Sequence, residues 1–167
     1  MRSIIISGQT GTGRTRTSMF IADVKDYDYA VIENFSDLRK FMDKPTVVEF
    51  DTLSPRQFNE SEFKDKFHVV FMGFATSSEK ELFDFWAGSG YQKTRGFSDK
   101  ELMQFAKEVS ATGKQNKLEC DEYGYKFVNI HDFKRHSPTS IYASQVWEYL
   151  FGEKKEINLA TKTKFDE

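Results

Sequence analysis

Cysteine and proline are scarce in this sequence. Its 167 residues include one cysteine, Cys120, and three prolines. A single cysteine cannot close an internal disulfide, which excludes the small disulfide-stabilised folds. His131 and His136 do not form a zinc site either, because no cysteines accompany them at the spacing that zinc requires. The stability of this chain must therefore come from a packed core.

The sequence also lacks an excess of one charge and a long apolar run. It has 24 Lys and Arg against 26 Asp and Glu, a formal net charge of -2. This balance gives no support to a nucleic-acid partner, although it leaves that option open. No apolar stretch approaches the roughly 18 residues of a membrane span, and the run after Arg2 is too short for a signal peptide. We therefore expect a cytoplasmic protein with no membrane partner.

Phenylalanine, in contrast, is abundant. The chain has 17 of them, with 38% hydrophobic and 30% charged residues. This composition is typical of a globular domain, and the length is sufficient for one sizeable core. We expect a single domain over residues 1–152 with an aromatic-rich interior. The polar, lysine-rich residues 153–167 predict a loosely docked tail.

Apolar runs alternate with helical patterns in the first half of the chain. Four strands are predicted, at Arg2–Ser7, Tyr29–Ile32, Thr46–Asp51 and Phe67–Phe74. Strands that alternate with helices predict an α/β fold, with a mostly parallel sheet flanked by helices on both faces. Further along, Lys117–Ile130 predicts a β-hairpin with its turn at Asp121–Gly124. Ser137 then begins a final C-terminal helix.

Serine residues mark several predicted helix starts. Ser54 precedes a proline that suits the first helical position, and this helix is expected to run to about residue 66. Ser78 and Ser98 are each followed three residues later by glutamate, which fits the capping box. The helix after Ser98 is expected to end before Gly113.

A glycine-rich stretch follows the first predicted strand. From Gly8 to Thr15 it reads GQTGTGRT. Glycines permit positive φ angles and let the backbone approach an anion closely. Successive N–H groups can then form a nest, and the N-terminus of the next helix adds roughly half a positive charge. The sequence therefore predicts a binding site for a phosphate-bearing cofactor, formed by Gly8, Thr10, Gly11, Thr12, Gly13, Arg14, Thr15 and Arg16.

From Ser3 to Thr17 the sequence resembles the P-loop NTPases, whose motif is G-x-x-x-x-G-K-[ST]. The resemblance implies a three-layer P-loop fold that binds ATP or another NTP, with the Thr15 hydroxyl as a Mg²⁺ ligand. Arg14 departs from the motif, because it stands where the family has lysine. Arginine keeps the positive charge but is bulkier and planar. We therefore count Arg14 among the catalytic candidates, but expect nucleotide binding to survive more readily than fast phosphoryl transfer.

Three further catalytic candidates follow other predicted strands, whose carboxyl ends share one edge of a parallel sheet. The resemblance implies that Asp51 holds Mg²⁺, although Glu49 interrupts the apolar run that usually precedes such an aspartate. It also implies that Glu33 orients or deprotonates the attacking group and that Thr76 senses the γ-phosphate. Each has a structural alternative: a turn residue, a solvated carboxylate, and a member of a helix-capping hydroxyl cluster.

Basic residues occur in two other places. The Gly90–Gly96 loop carries Lys93 and Arg95, and it could be a lid over phosphates or supply an arginine to a second subunit. A solvated loop is the simpler interpretation. The cluster Lys134–His136 could contact phosphate or nucleic acid, or lie on a solvated surface.

These residues support three functions. The first is a purine-nucleotide-binding protein with weak ATPase activity, accessory to a DNA or protein assembly and associated with a protein partner or further copies of itself. The second is a small kinase that phosphorylates a nucleotide or another small molecule. The third is a non-catalytic interaction module that retains the fold.

Overall fold

One parallel sheet organises the chain. The computed structural model describes residues 2–51, 53–88, 92–132 and 140–166. The strands are β1 (Ser3–Gly8), β2 (Asp28–Ile32), β3 (Thr46–Phe50), β4 (Phe67–Gly73) and β5 (Lys126–Asn129), in the order β2-β3-β1-β4-β5. Every neighbouring pair is parallel, and Ile6 of β1 lies opposite Glu49 of β3 and Val70 of β4. The mostly parallel α/β sheet predicted from the sequence is confirmed.

Helices cover both faces of this sheet. They are α1 (Arg14–Lys25), α2 (Pro55–Asn59), α3 (Glu79–Ala87), α4 (Asp99–Tyr123) and α5 (Ile141–Phe151), with 3-10 turns at Phe35–Phe41 and Gln92–Thr94. Successive residues of β1 point to opposite faces, so Ile4 and Ile6 enter one buried cluster and Ile5 enters the other. All six residues of β1 are buried, which is why this strand reads as a continuous apolar run.

The predicted C-terminal hairpin is wrong. Residues 117–123 are the last two turns of α4, and β5 pairs with β4 in parallel. The supposed hairpin turn is the helix end, where Gly124 has a φ of 78° and its N–H donates to the Cys120 carbonyl at 2.8 Å. A glycine that follows charged residues is typical both of a hairpin turn and of a helix C-terminus, where it commonly adopts the left-handed conformation.

Gly113 does not end α4, contrary to the prediction. It lies in the middle of the helix, where a Cβ would stand 2.3 Å from the Phe74 carbonyl oxygen. Glycine is needed there because the helix backbone touches the chain just beyond β4. Whereas α4 is longer than predicted, α2 is shorter: it has only five residues, although the sequence predicted a helix that reaches about residue 66.

The C-terminal segment is anchored, whereas the sequence predicted a loosely docked tail. Ile157 is fully buried, and Leu159 and Phe165 pack against the same cluster as α1 and α5. The Ser140 N–H also donates to the Ile157 carbonyl at 2.9 Å. Ser137, the predicted start of the last helix, lies outside the described residues. No helix in the described part of the chain has the length and apolarity that a membrane crossing requires.

Candidate functional site

The glycine loop connects β1 to α1 at the carboxyl edge of the sheet. Gly11 and Gly13 have φ angles of 89° and 81°, a backbone conformation that residues with a side chain rarely adopt. At Gly8, a Cβ would stand 2.8 Å from the Thr12 hydroxyl. That hydroxyl donates to the Gln9 carbonyl at 2.7 Å and closes the loop on itself. The loop thus depends on glycine at the positions that the sequence singled out.

The N-terminus of α1 differs from that of every other α-helix described. Its N-cap is Gly13, which makes no side-chain cap bond. The other four begin with serines whose side chains accept a hydrogen bond from a first-turn N–H: Ser54, Ser78, Ser98 and Ser140. Within the described residues, the N–H groups of Arg14, Thr15 and Arg16 meet no acceptor. These donors, with the positive end of the helix dipole, favour an anion there.

Glu49 lies directly beneath this loop. Its carboxylate accepts hydrogen bonds from Arg14 Nε at 2.8 Å and from the Thr15 hydroxyl at 2.6 Å, and also from the Tyr29 hydroxyl. The Glu49 side chain is 3% exposed, and such a buried carboxylate requires partners of this kind. Burial, with the Glu49 carboxylate beside it, raises the pKa of Tyr29. The tyrosine therefore stays protonated and donates.

The sequence interpretation missed Glu49, which it treated as an interruption of an apolar strand. A charge inside an otherwise continuous buried run is itself a signal, because an unpaired carboxylate is costly there. The register places Glu49 one strand away from the start of the loop. The partner across the sheet, however, is not encoded in the local pattern.

Arg14 is held at the base of the loop. Besides its contact with Glu49, its Nη1 group donates to the Gly8 carbonyl. Its side chain is 16% exposed. Two of the three guanidinium nitrogens therefore contact the protein itself. Thr15 is an exposed residue, and its hydroxyl donates to the Glu49 carboxylate.

Asp51 and Glu33 are exposed and follow β3 and β2 at the same sheet edge. Within the described residues, the carboxylate that contacts Thr15 belongs to Glu49, and Asp51 makes no hydrogen bond to Thr15. Thr76 is also exposed and accepts a hydrogen bond from Asn129 Nδ2 at 2.9 Å, which ties the end of β4 to β5. The catalytic roles expected for these three residues stay predictions.

Arg16 is next to the glycine loop but contacts the C-terminal segment. It donates to the carbonyls of Leu159 at 3.0 Å and Thr161 at 2.7 Å, and pairs with Asp166. The Leu159 side chain lies beside the loop, 3.6 Å from where a Cβ on Gly13 would stand. Thr10, the remaining predicted binding residue, is partly exposed.

Gln9 fastens the loop to α4. Its side-chain amide donates to the Val109 carbonyl at 2.9 Å and accepts from the Phe74 N–H at 3.2 Å. Because Gln9 is buried, the two bonds fix the loop against α4 and against the residue that follows β4. On the other side, a Cβ at Gly11 would stand 3.0 Å from the Phe85 ring. The loop is thus packed between aromatic residues and the sheet.

The other basic candidates lie away from these contacts or outside the described residues. The Lys93 Nζ atom is 5.8 Å from the centroid of the Phe105 ring, and Arg95 is exposed. Lys134–His136 and the start of the Gly90–Gly96 loop are not described. The lid and arginine-finger interpretations stay predictions.

No cluster of three His, Cys, Asp or Glu side chains able to hold a metal ion occurs among the described residues. Mg²⁺ in nucleotide sites typically uses one or two protein oxygens together with phosphate oxygens and water. The Thr15 hydroxyl is a hard oxygen ligand of that kind and lies in the first turn of α1. The Glu49 carboxylate behind it is 3% exposed and already accepts hydrogen bonds from Arg14, Thr15 and Tyr29. The donor set fits Mg²⁺ only together with a phosphate ligand.

Comparison with known proteins shows the fold. No protein-family model and no curated protein matches the sequence. Among solved structures, a shikimate kinase from Bacteroides thetaiotaomicron aligns with a TM-score of 0.53 and 14% identity, over 91% of this chain and 99% of its own. A gluconokinase from Sinorhizobium meliloti 1021 aligns with a TM-score of 0.41 and 14% identity, over 74% of this chain and 96% of its own. With the first alignment and the strand–glycine loop–helix unit, the chain has the P-loop NTPase fold.

Proposed function

We propose that this protein binds a purine nucleotide through the phosphates, at the glycine loop and the N-terminus of α1. The observation that supports this most strongly is the uncapped start of α1, which follows two left-handed glycines at the carboxyl edge of the sheet. Backbone N–H groups in such a nest bind phosphate oxygens. At each of the other four helices, a serine side chain accepts one first-turn N–H, whereas no described side chain caps α1.

Mg²⁺ would be held beside the phosphates by the Thr15 hydroxyl, with Glu49 behind it. When bound, the ion would neutralise phosphate charge and orient the phosphates. In this arrangement the carboxylate next to the Thr15 hydroxyl is that of Glu49, whereas the sequence interpretation had assigned Asp51 to the metal. Asp51 lies at the exposed end of β3 and makes no hydrogen bond to Thr15 among the described residues.

Turnover is expected to be slow or absent. Arg14 contacts Glu49 and Gly8, and a planar guanidinium held in this way cannot follow a transferring phosphate as a flexible lysine does. We therefore favour a nucleotide-binding protein with at most weak ATPase activity. An accessory role in a DNA or protein assembly is a further prediction.

A small-molecule kinase is the second candidate. The fold likeness to a shikimate kinase over nearly the full length of both chains favours it. Glu33 and Asp51 also lie exposed at the sheet edge where an acceptor hydroxyl would approach the loop. Incubation with labelled ATP separates the alternatives: label in inorganic phosphate supports an ATPase, and label on an added acceptor supports a kinase.

The binding proposal is tested by the melting temperature with and without millimolar ADP and Mg²⁺. We expect ADP to raise the melting temperature, because a ligand that binds only the folded state stabilises it. In Gly13→Ala this increase should disappear, because a side chain at a φ of 81° disturbs the nest.

Gly124→Ala is the matched control. Gly124 has a φ of 78°, and a Cβ there would meet nothing within 4 Å. The two variants should lose similar stability, but Gly124→Ala should keep the full response to ADP. The absence of any ADP effect on the unmodified protein, or an equal loss in both variants, would contradict the proposal.

A further inference from the structure

Glu49 and Arg14 form a buried pair beneath the phosphate loop. The Nε–Oε1 distance is 2.8 Å, and the glutamate also accepts from the Thr15 and Tyr29 hydroxyls. Within the described residues, its three donors come from the loop–helix junction and from β2, on two sides of the strand that carries it. Glu49 is therefore the centre of a closed hydrogen-bond network.

This network opposes any movement of Arg14 towards a ligand. If Arg14 moved to a phosphate, a carboxylate with 3% exposure would lose its cationic partner while an anion approached. Both changes are unfavourable, since a buried charge without a partner is strongly destabilising. The bond from Arg14 Nη1 to the Gly8 carbonyl would also break.

The position of Arg14 determines which phosphate groups of a nucleotide the site can contact. In P-loops the backbone N–H groups cradle the α- and β-phosphates, whereas the motif lysine reaches the β- and γ-phosphates. Here the backbone donors are present, but the residue at the lysine position is turned to the base of the loop. Arg14 would therefore contribute little to the binding of the γ-phosphate.

We propose that Glu49 is a specificity-determining residue that holds Arg14 away from the γ-phosphate, so that the site binds nucleoside diphosphates as tightly as triphosphates. This inference rests on the proposed nucleotide binding and names its ligand class. It also assigns Glu49 a role that differs from metal binding alone. With Glu49 neutral, Arg14 becomes available to a third phosphate group.

The test is calorimetric titration of the full chain with ADP and with ATP, both with Mg²⁺. For the unmodified protein, we expect dissociation constants within about threefold of each other. In Glu49→Gln, which retains the size and one acceptor oxygen, we expect about a tenfold preference for ATP, equivalent to about 1.4 kcal/mol.

Glu119→Gln is the matched control. Glu119 is likewise buried, at 6% exposure, and accepts from the Arg56 N–H at 2.9 Å and from Gln115 Nε2 at 2.8 Å. It lies on α4 in contact with α2, outside the phosphate loop. Its substitution should leave the ATP-to-ADP ratio unchanged.

The outcomes separate the two proposals. If ADP binds but the unmodified protein prefers ATP tenfold or more, the role of Glu49 is overturned while nucleotide binding stands. An unchanged ratio in a folded Glu49→Gln variant would overturn it as well. If neither nucleotide binds, both proposals fail. Should Glu49→Gln not fold, the ratio in the unmodified protein still decides.

Discussion

The start of α1 and the starts of the other α-helices solve the same problem in two ways. Each helix begins with backbone N–H groups that lack a partner in the helix. At the other four, a serine hydroxyl accepts one of these hydrogens, and at α3 the Glu81 side chain completes a capping box. At α1 the cap is Gly13, and no described side chain accepts a hydrogen bond from the first-turn N–H groups.

The difference separates structural helix starts from one suited to a ligand. A serine cap typically contributes about 1 kcal/mol relative to alanine but only a few tenths relative to glycine, so the glycine start of α1 costs little stability. It is held instead by contacts that leave the N–H groups open. Glu49 binds Arg14 and Thr15 from below, and the C-terminal segment binds Arg16 from the side.

Removal of Glu49 should break this arrangement most severely. Glu49→Ala leaves Arg14 without its buried partner and the Tyr29 hydroxyl without an acceptor. Breaking a buried ion pair in this way costs about 3–5 kcal/mol, and denaturant unfolding would measure the loss.

Glu62→Ala is the control for this change. Glu62 pairs with Arg39 on the surface, where the two side chains are 49% and 69% exposed. Such a pair contributes at most about 1 kcal/mol. Similar losses of unfolding free energy in the two variants would show that the Arg14–Glu49 pair contributes no more to stability than a surface ion pair.

Substitution at a serine cap should have a smaller effect and leave the ligand site intact. Ser78→Ala removes the hydrogen bonds at the start of α3 that depend on the hydroxyl, including the one from the Glu81 N–H at 3.1 Å. The expected loss in unfolding free energy is about 1 kcal/mol. The melting-temperature response to ADP should be unchanged, and a weakened response would argue against the distinction between the two kinds of helix start.

The smallest expected effect is a pH-dependent release of the C-terminal segment. Hydrogen bonding from Arg16, together with the Thr163 N–H, lowers the pKa of Asp166 to about 2. Lys164 lowers the pKa of Asp26 in the same segment contact. An aspartate has a pKa near 3.9 when unfolded, so this stabilisation is present above about pH 4 and is lost as the pH falls towards about 2.

Pepsin cleavage in the C-terminal segment, followed by mass spectrometry, would detect this release. We expect cleavage next to Leu159 and Phe165 to increase modestly as the pH falls through this range, because the buried Ile157 still anchors the segment. Asp166→Asn should be cleaved somewhat faster than the unmodified protein above about pH 4, and by about pH 2 the two should be alike, which corrects for the pH dependence of pepsin itself. Equal protection of both proteins would show that Asp166 does not hold the segment.

Local patterns were sufficient for most of the sheet and for several helix starts. The apolar runs predicted β1 to β4 to within one or two residues, and the Ser78 and Ser98 caps lie where they were expected. The predictions were wrong where one local sequence pattern is compatible with two different structures. The Asp121–Gly124 stretch is typical of a hairpin turn and of a helix end, and only the pairing of β5 with β4 distinguishes them.

The sequence by itself determined the alternation of strands and helices and the glycine loop, because these depend on periodicity and on backbone freedom over a few residues. Tertiary structure alone decided what surrounds that loop. Glu49 lies 34 and 35 residues from its partners Thr15 and Arg14, and Leu159 lies 143 residues from Arg16. Contacts over such distances are set by strand order and by the packing of the C-terminal segment. No local spacing encodes them, although they decide how far Arg14 and Arg16 can serve a ligand.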